Sequence, residues 1–347
     1  MRPIVRSLII VSLLSTAAVS LAQQPEIIHA QLAVQAVEHG LGAEIDSLKA
    51  TATPVWVGYT IPVVDKFQSG WNSDRVAYLE DERSTGRSTE TGSNSPQDHA
   101  VVLLRIFGGA ITKLRVEGPD RRIDAGNLRF VWLTNVSTED SITTIKALAL
   151  ANDARRLRDS AVFVIALHKS DQAVPALVAL AAPGNELELR EKAAFWLANQ
   201  RGPEGFAALQ RFARDDGDAR FREKIAFDLT MSKQPAALAE LIRMAHSDPS
   251  PQVRKQAQFW MATKGGKRVS GDLRSATETD PDQQVRKQAV FALSRLPGEE
   301  AATQLIQVAG TSKYPEVRKQ AIFWLGQSDD PRALDYLTKL LKSEDAR

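Results

Sequence analysis

The chain has 347 residues and no cysteine, and its 44 lysines and arginines nearly balance its 42 aspartates and glutamates. The lack of cysteine excludes disulfides, thiol nucleophiles and cysteine-ligated metal sites. A formal net charge of +2 gives no compositional support to nucleic-acid binding, which usually needs a strongly basic surface.

The first 22 residues have the pattern of a cleavable export signal. Arg2 and Arg6 precede an uncharged, mostly apolar run that ends at Ala22 in a small-x-small triplet. This run is shorter than the roughly 20 residues that a membrane span needs, so a retained anchor is the less favoured alternative. We therefore expect a periplasmic or secreted protein with no membrane contact after cleavage.

Residues 23–136 are predicted to form a small α+β or β-rich domain. Four runs have the two-residue alternation or the composition of strands, namely VWVGYTIPVV, HAVVLLRIF, AITKLRVEG and NLRFVWL. Gly108 and Gly109 separate two of these runs and suit a hairpin turn, because glycine accepts a positive φ. The segment 41–50 is long enough for one short helix.

A polar stretch near residues 82–98 contains no large apolar side chain. This composition favours a disordered or exposed loop between strands, and a binding lid is the alternative. Ser137 and Asp140 then form a capping-box-like start for a helix with the sequence SITTIKALALA. We expect this helix to cap the repeats that follow and to join the two regions.

The rest of the chain, through residue 347, repeats with a period of 32. The decapeptide VRKQAQFWMA at Val253 returns as VRKQAVFALS at Val285 and as VRKQAIFWLG at Val317. Each unit has two helical patterns, and hairpins this thin can bury an apolar face only by stacking on their neighbours. Three registers hold one residue type in all six units. They are Arg158, Arg190, Arg222, Arg254, Arg286 and Arg318; Phe163, Phe195, Phe227, Phe259, Phe291 and Phe323; and Leu177, Leu209, Leu241, Leu273, Leu305 and Leu337.

First helices of the form V/L-R-x-x-A-x-F/A-x-L resemble the HEAT-like repeats of phycobilisome-lyase-like and bacterial HEAT-repeat proteins. The export signal and the β-rich leading region make the resemblance closest to secreted proteins of this kind. It implies a mostly α fold over residues 137–347, with a six-unit α-α superhelix behind the capping helix. It also implies protein binding, not a particular reaction.

Three features of the repeats have a structural interpretation. We expect the six arginines to pair with acidic residues or carbonyls between units, because a planar guanidinium suits such a ladder. Trp196, Trp260 and Trp324 share one register, which we expect to pack in the core and not to stack on a ligand. Asp228 takes that register in the third unit, where local pairing is favoured over catalysis.

The second helices are expected to line the concave side of the solenoid. Their outward positions carry mixed charge beside small residues, which fits a groove for a protein or peptide, and an ordinary solvated face is the alternative. The predicted interaction surface comprises Arg211, Arg243, Glu240, Asp272, Gln304, Gln307, Tyr336 and Lys339. Self-association through the apolar last helix is a further expectation.

The sequence therefore predicts an exported, non-enzymatic scaffold or adaptor that binds a protein. The histidines form no close ligand pair, and no nucleophile or phosphate-loop motif is present, so we predict no catalytic residue, cofactor or metal. The alternative is an enzyme, or an accessory subunit, with its site near Trp56, Tyr59 and Trp71 and with repeats that recruit substrate.

Overall fold

The computed structural model describes residues 24–67, 76–80, 97–151 and 154–344. A strand-rich region with a mixed sheet is followed by helices, so the predicted fold class is confirmed. The expected export signal, Trp71 and residues 82–96 of the polar stretch lie outside the described residues. Gln97 and Asp98, which we expected in the loop, instead begin a strand, because Gln97 pairs with Phe67.

The N-terminal region is a six-stranded sheet with one helix, α1, at Leu41–Leu48. The strand order is β1-β6-β2-β4-β5, with β3 also beside β6. β6 runs parallel to β1, β2 and β3, whereas β4 is antiparallel to β2 and β5. The strands are β1 Ile27–Ala36, β2 Val55–Phe67, β3 Val76–Tyr78, β4 Gln97–Phe107, β5 Ala110–Glu117 and β6 Arg122–Thr134. Gly108 and Gly109 form the β4–β5 turn with φ of 60° and 78°, as predicted.

The two faces of the sheet are buried in different cores. Val57, Tyr59 and Val102 belong to one face, which packs into the same apolar core as the helices. Trp56 and Phe130 belong to the other face and form a smaller core. Neighbouring residues of a strand point to opposite sides of the sheet. The single apolar run of β2 therefore supplies side chains to both cores.

The helical region consists of a leading helix and six helix pairs. The leading helix α2 is Thr138–Ala151, and the Ser137 Oγ accepts a hydrogen bond from the Asp140 N–H at 3.0 Å, which is half of the expected capping box. The first helices are α3 Arg155–Leu167, α5 Leu187–Gln200, α7 Ala219–Met231, α9 Pro251–Gly265, α11 Gln283–Ser294 and α13 Pro315–Gly326. The second helices are α4 Ala173–Ala181, α6 Gly202–Asp215, α8 Ala237–Ser247, α10 Ser270–Thr279, α12 Glu300–Thr311 and α14 Pro331–Glu344.

The spacing of the helices indicates that the first helices form the concave layer of the solenoid. Each packs closely on the first helix of the next unit, whereas successive second helices make far fewer contacts with one another. In a curved stack the more closely spaced layer is the inner one. Small side chains permit this close approach. In five units a buried alanine stands two residues before the repeated phenylalanine, at Ala161, Ala193, Ala257, Ala289 and Ala321. This spacing argues against the expectation that the second helices line the concave side.

The sheet and the solenoid share one apolar core, which runs from α1 to the last helix pair. At the junction, the Lys169 N–H donates to the Pro62 carbonyl at 2.9 Å, and Val63 forms an isolated bridge with His168. The sheet therefore holds the first unit in a fixed orientation.

Candidate interaction surface

The arginine register forms a buried ladder along the stack. Arg222 donates to both carboxylate oxygens of Asp248 at 2.8 and 3.0 Å, and to the Asp216 carbonyl at 2.6 Å. Arg254 repeats this with Asp280 at 2.8 and 3.0 Å and with the Asp248 carbonyl at 2.9 Å. Each of these two arginines thus links the loop before its own first helix to the loop before the first helix of the next unit.

The ladder changes partners where the repeat lacks an aspartate. Gly184 and Ser312 stand at the positions of Asp216, Asp248 and Asp280. Arg158 therefore pairs with Glu186 and Glu188, and Arg286 with Glu316, while Arg190 keeps the regular partner, Asp216. Arg318 donates to the Ser312 carbonyl at 2.7 Å. Five of these side chains are buried in the stack, and Arg318, at its end, is half-buried.

The repeated phenylalanines and tryptophans form an aromatic ridge on the concave layer. Five of the six phenylalanines are half-buried, and Phe323 is 54% exposed. Each tryptophan lies between the phenylalanines of two units, so that Trp260 contacts Phe227 at 5.0 Å and Phe259 at 4.7 Å between ring centroids. The ridge comprises Phe163, Phe195, Trp196, Phe227, Phe259, Trp260, Phe291, Phe323 and Trp324.

The tryptophans pack at the edge of the core and not inside it, which corrects the sequence interpretation. Trp196, Trp260 and Trp324 are all half-buried. Their register lies next to the phenylalanine register and faces the concave surface, where no further layer covers it. The aromatic rings therefore combine packing between units with an apolar surface open to solvent.

The third unit interrupts the ridge with a charged pair. Asp228 stands in the tryptophan register, is wholly buried, and accepts a hydrogen bond from the Lys224 Nζ at 3.1 Å. The Lys224 Nζ also lies 4.0 Å from the ring centroid of Phe227 and 5.8 Å from that of Phe195. Burial raises the pKa of Asp228 to about 7, although the charge of Lys224 opposes this. Lys224 and Asp228 thus lie between Phe195 and Phe227, in the place that a tryptophan takes between the phenylalanines of other units.

A pocket of about 290 Å³ opens beside this pair, and its lining mixes both signs of charge with two rings of the ridge. Burial raises the pKa of Glu191, a carboxyl group in its wall. The lining residues are Arg155, Asp159, Glu188, Glu191, Lys192, Phe195, Lys224 and Phe227. A second pocket, of about 490 Å³, lies where the end of β2 meets the loops after α5 and α7.

Most of the residues predicted to form a surface on the second helices instead make hydrogen bonds or ion pairs between units. Glu240 is only 3% exposed and accepts hydrogen bonds from Arg214 at 2.8 Å and Arg243 at 2.5 Å. Although burial favours its neutral form, these arginines lower the pKa of Glu240. Arg243 also donates to the Ala213 carbonyl of the preceding unit at 3.1 Å. These residues lie on the convex layer and stabilise the stack.

The other predicted surface residues are divided between ties and open positions. Gln304 is buried, and Gln304 and Gln307 accept hydrogen bonds from Arg274 at 3.3 and 2.5 Å. Asp272 lies 3.6 Å from His246, and Tyr336 is half-buried. The exposed members of the set are Arg211, Gln307 and Lys339.

The polar groups at the junction hold the fold together. The His168 Nδ1–H donates to the Val164 carbonyl at 2.7 Å, which leaves Nε2 to accept from the Ser141 hydroxyl at 2.9 Å. The Ser141 Oγ in turn accepts from the Tyr59 hydroxyl at 2.9 Å. All three side chains are wholly buried. Burial lowers the pKa of His168 to about 4 and raises that of Tyr59.

The aromatic residues of the alternative enzyme site are core residues where the structure describes them. Trp56 is wholly buried, and its Nε1–H donates to Glu80 at 2.8 Å. Arg105 binds the same carboxylate at 2.8 Å, and the hydrogen bonds from Arg105 and Trp56 lower the pKa of Glu80 against the effect of burial. In the described residues no group of three or more histidines, aspartates or glutamates could hold a metal ion. None of the described helices is long and apolar enough to cross a bilayer.

Comparison with known proteins shows a similarity in the repeats. A family model described as HEAT repeats matches residues 174–262 and 270–347. No curated protein sequence matches the chain.

Several solved structures are similar over part of the chain. Human deoxyhypusine hydroxylase is 20% identical over 58% of this chain and 77% of its own, with a TM-score of 0.32. The CpcE–CpcF complex of phycocyanin lyase from Nostoc is 22% identical over 46% of this chain and 100% of the matched chain, with a TM-score of 0.34. Kap121p is 15% identical over 54% of this chain and 25% of its own, with a TM-score of 0.36.

Proposed function

We propose that this chain, whose repeats match a family model of HEAT repeats, is a non-enzymatic scaffold that binds a protein partner along the concave layer of its helical solenoid. The aromatic ridge is the observation that carries this proposal. It extends over all six units, and its outermost ring, Phe323, is more than half exposed. Partly exposed aromatic side chains are enriched where proteins bind one another.

The concave layer is a better candidate than the convex one for a physical reason. The exposed part of the ridge makes no tie between units that a partner would have to break. On the convex layer, Glu240 and Gln304 are buried in such ties, and displacing them would leave charged or polar groups unpaired. A partner therefore gains apolar contact on the ridge with little cost to the stack.

Site-specific photo-crosslinking tests this surface. A benzoyl-phenylalanine is placed in turn at Phe291 and Phe323 on the ridge, at Phe107 on the sheet hairpin and at Arg211 on the convex layer. Phe107 is the matched control, because it is an aromatic residue that is 43% exposed and does not belong to the ridge. We expect adducts with a partner from the two ridge positions in the native host. Adducts from Arg211 alone would contradict the proposal.

We also propose that the protein acts outside the cytoplasm. The support is the charge-free apolar run after Arg2 and Arg6, which ends at a small-x-small triplet. The test is N-terminal sequencing of the protein recovered from the periplasm or medium, where we expect a chain that begins at Gln23. Recovery of the uncleaved chain from the cytoplasm would contradict this.

Self-association is a second proposal, supported by the last helix. Leu334 and Leu341 of α14 are 68% and 64% exposed, which is unusual for leucines on one helix. Light scattering on the purified protein should show a dimer that dissociates in the variant Leu334→Gln/Leu341→Gln. A monomeric parent protein would contradict this proposal and leave the ridge unaffected.

A further inference from the structure

We infer that the partner segment bound over units four to six is acidic and adopts the polyproline II conformation, with a carboxylate at every third residue. This inference rests on the proposed function and specifies which chemistry the concave layer recognises. It depends on three observations: a row of lysines, a change of charge along that row, and the spacing of the units beside the ridge.

A row of lysines runs beside the aromatic ridge in units four to six. Lys255, Lys287 and Lys319 each stand four residues before the repeated phenylalanine, so they lie on the same helix face one turn away. Lys319 is exposed, and the other two are half-buried. In contrast to the arginine ladder, none of the three has a carboxylate within 4.0 Å in the described part of the chain.

The nearest carboxylates leave this row accessible. Burial raises the pKa of Glu223, and the charge of Lys255 opposes this only as a minor contribution. The hydrogen bond from Arg286 lowers the pKa of Glu316, and the charge of Lys287 adds a minor contribution. Glu316 is already bound to Arg286 at 2.8 Å. The lysine ammonium groups are therefore free to bind an anion from outside the chain.

The charge of this row changes sign between units three and four. The same position holds Asp159, Glu191 and Glu223 in units one to three. Asp159 pairs with Lys192 at 3.2 Å. An acidic segment is thus attracted to the C-terminal half of the concave layer, whereas the same row is acidic in the N-terminal half and cannot bind its carboxylates. The sign change fixes where along the solenoid such a segment binds.

The spacing of the units favours one backbone conformation. Packed helices lie about 8–10 Å apart, so successive lysines of the row are separated by roughly this distance. A polyproline II helix has three residues per turn and rises about 3.1 Å per residue, or roughly 9 Å per turn. Its side chains at every third position therefore point the same way and meet successive lysines. An extended β-strand would present every third side chain to alternate sides.

The aromatic ridge supplies the second half of the recognition. Proline-rich segments in this conformation dock on aromatic-lined surfaces, because their rings pack flat on aromatic faces. Trp260, Phe291 and Trp324 lie next to the lysine row in the same three units. The residues between the carboxylates would thus contact the ridge while the carboxylates bind the lysines.

Two peptides of equal composition test this inference by fluorescence anisotropy with the full chain. The first is a labelled nonapeptide with three Glu-Pro-Pro triplets, and the second has the three glutamates together between two runs of proline. We expect the first to bind roughly tenfold more tightly, because only it can engage three separate lysines. Added salt should weaken this binding, since the charges are exposed.

A matched pair of triple variants assigns the effect to the row. Lys255→Gln/Lys287→Gln/Lys319→Gln should lose the preference for the regular peptide. Arg211→Gln/Lys233→Gln/Lys339→Gln removes the same charge from exposed positions elsewhere and should keep it.

Several outcomes would overturn the inference. These are equal binding of both peptides, no binding of either, or an unchanged preference in the first triple variant. Tighter binding of a single-stranded DNA nonamer, or of a helical peptide with glutamates seven residues apart, would also do so. If ridge positions still crosslink to a partner, only this inference fails. If they do not, the proposed surface is wrong as well.

Discussion

At the level of single residues, most of the charge inside this protein is used to hold neighbouring units together. Asp248 illustrates the arrangement, because it binds Arg222 through both oxygens and also accepts the Ser250 N–H at 2.9 Å. A carboxylate fully occupied in this way stabilises the stack only while its arginine is present. Each such pair is therefore sensitive to the loss of either partner.

Replacement of Asp248 should destabilise the fold strongly. In Asp248→Ala, the side chain of Arg222, which is only 7% exposed, would be left without its carboxylate. We expect the free energy of unfolding in urea to fall by about 3–5 kcal/mol. Lys49→Ala is the control, since its pair with Asp46 is exposed and should contribute less than about 1 kcal/mol. Similar small losses in both variants would contradict the assigned role.

Asp228 should make the protein less stable as the pH rises. The pKa of Asp228 is about 7 in the folded chain, compared with an ordinary value of 3.8. Between these two pH values the folded state therefore holds a proton that the unfolded state has lost. Stability is therefore highest below about pH 4 for this group and is lost as the pH rises through 7. In Asp228→Asn this loss should disappear, which amounts to about 1.4 kcal/mol for each unit of pKa shift.

The measurement is the free energy of unfolding in urea from about pH 4 to about pH 8. The free energy of unfolding of Asp228→Asn, relative to that of the parent protein, should increase steadily as the pH rises across this interval. A constant difference between the two proteins would show that Asp228 is ionised throughout. It would also show that Lys224 compensates fully for its burial.

At the level of elements, close approach between helices determines the shape of the stack. Gly205 lies at the start of α6, and a Cβ atom there would come within 2.1 Å of the Leu197 carbonyl oxygen of α5. No side chain fits at that distance without moving one of the two helices. The crossing of α5 and α6 therefore depends on this glycine.

Gly205→Ala should destabilise the protein by about 1–3 kcal/mol, the usual cost of adding a methyl group to a packed site. Gly217→Ala is the matched control, because its Cβ would have no atom within 4 Å. We expect this control to be neutral or slightly stabilising, since it restricts the unfolded chain. Thermal unfolding of both variants provides the comparison, and equal melting temperatures would contradict the close contact.

The elements themselves were largely predictable, whereas their arrangement was not. The period of 32 predicts the helix pairs, and Gly108 and Gly109 predict the hairpin, because both signals are local. Strand β6 lies between β1 and β2 although it is the last of the six strands along the chain. Such pairing depends on contacts between distant residues that no local pattern records.

At the level of the whole molecule, a buried polar chain joins the sheet to the solenoid. Tyr59 lies on β2, Ser141 on α2 and His168 at the end of α3, and they are linked by hydrogen bonds of 2.9 Å. His168 is wholly buried in this link, and burial favours its neutral form. Protonation of His168 would therefore weaken the junction on which both regions depend.

Stability should accordingly fall in mildly acidic solution. The pKa of His168 is lowered from 6.5 to about 4, so the unfolded chain binds the extra proton between these values. The free energy of unfolding should decrease by about 3 kcal/mol as the pH falls from about 6.5 to about 4. His168→Gln should remove this contribution, whereas the exposed control His39→Gln should retain it. Parallel pH profiles for all three proteins would contradict the role of His168.

The sequence by itself determined the repeated unit and the residues that hold it together. Both are local properties, since helix periodicity and the 32-residue registers of arginine and phenylalanine can be read directly from the chain. It also indicated local pairing for Asp228, because an acidic side chain in an apolar register needs a partner nearby.

Only the tertiary structure decided which side of the solenoid is concave, and with it which residues face a partner. Curvature is the sum of small differences in spacing between the two helix layers over six units, and no single register encodes it. For the same reason Glu240, expected on an open groove, is buried in hydrogen bonds between units, and the tryptophans expected in the core are half-buried at its edge.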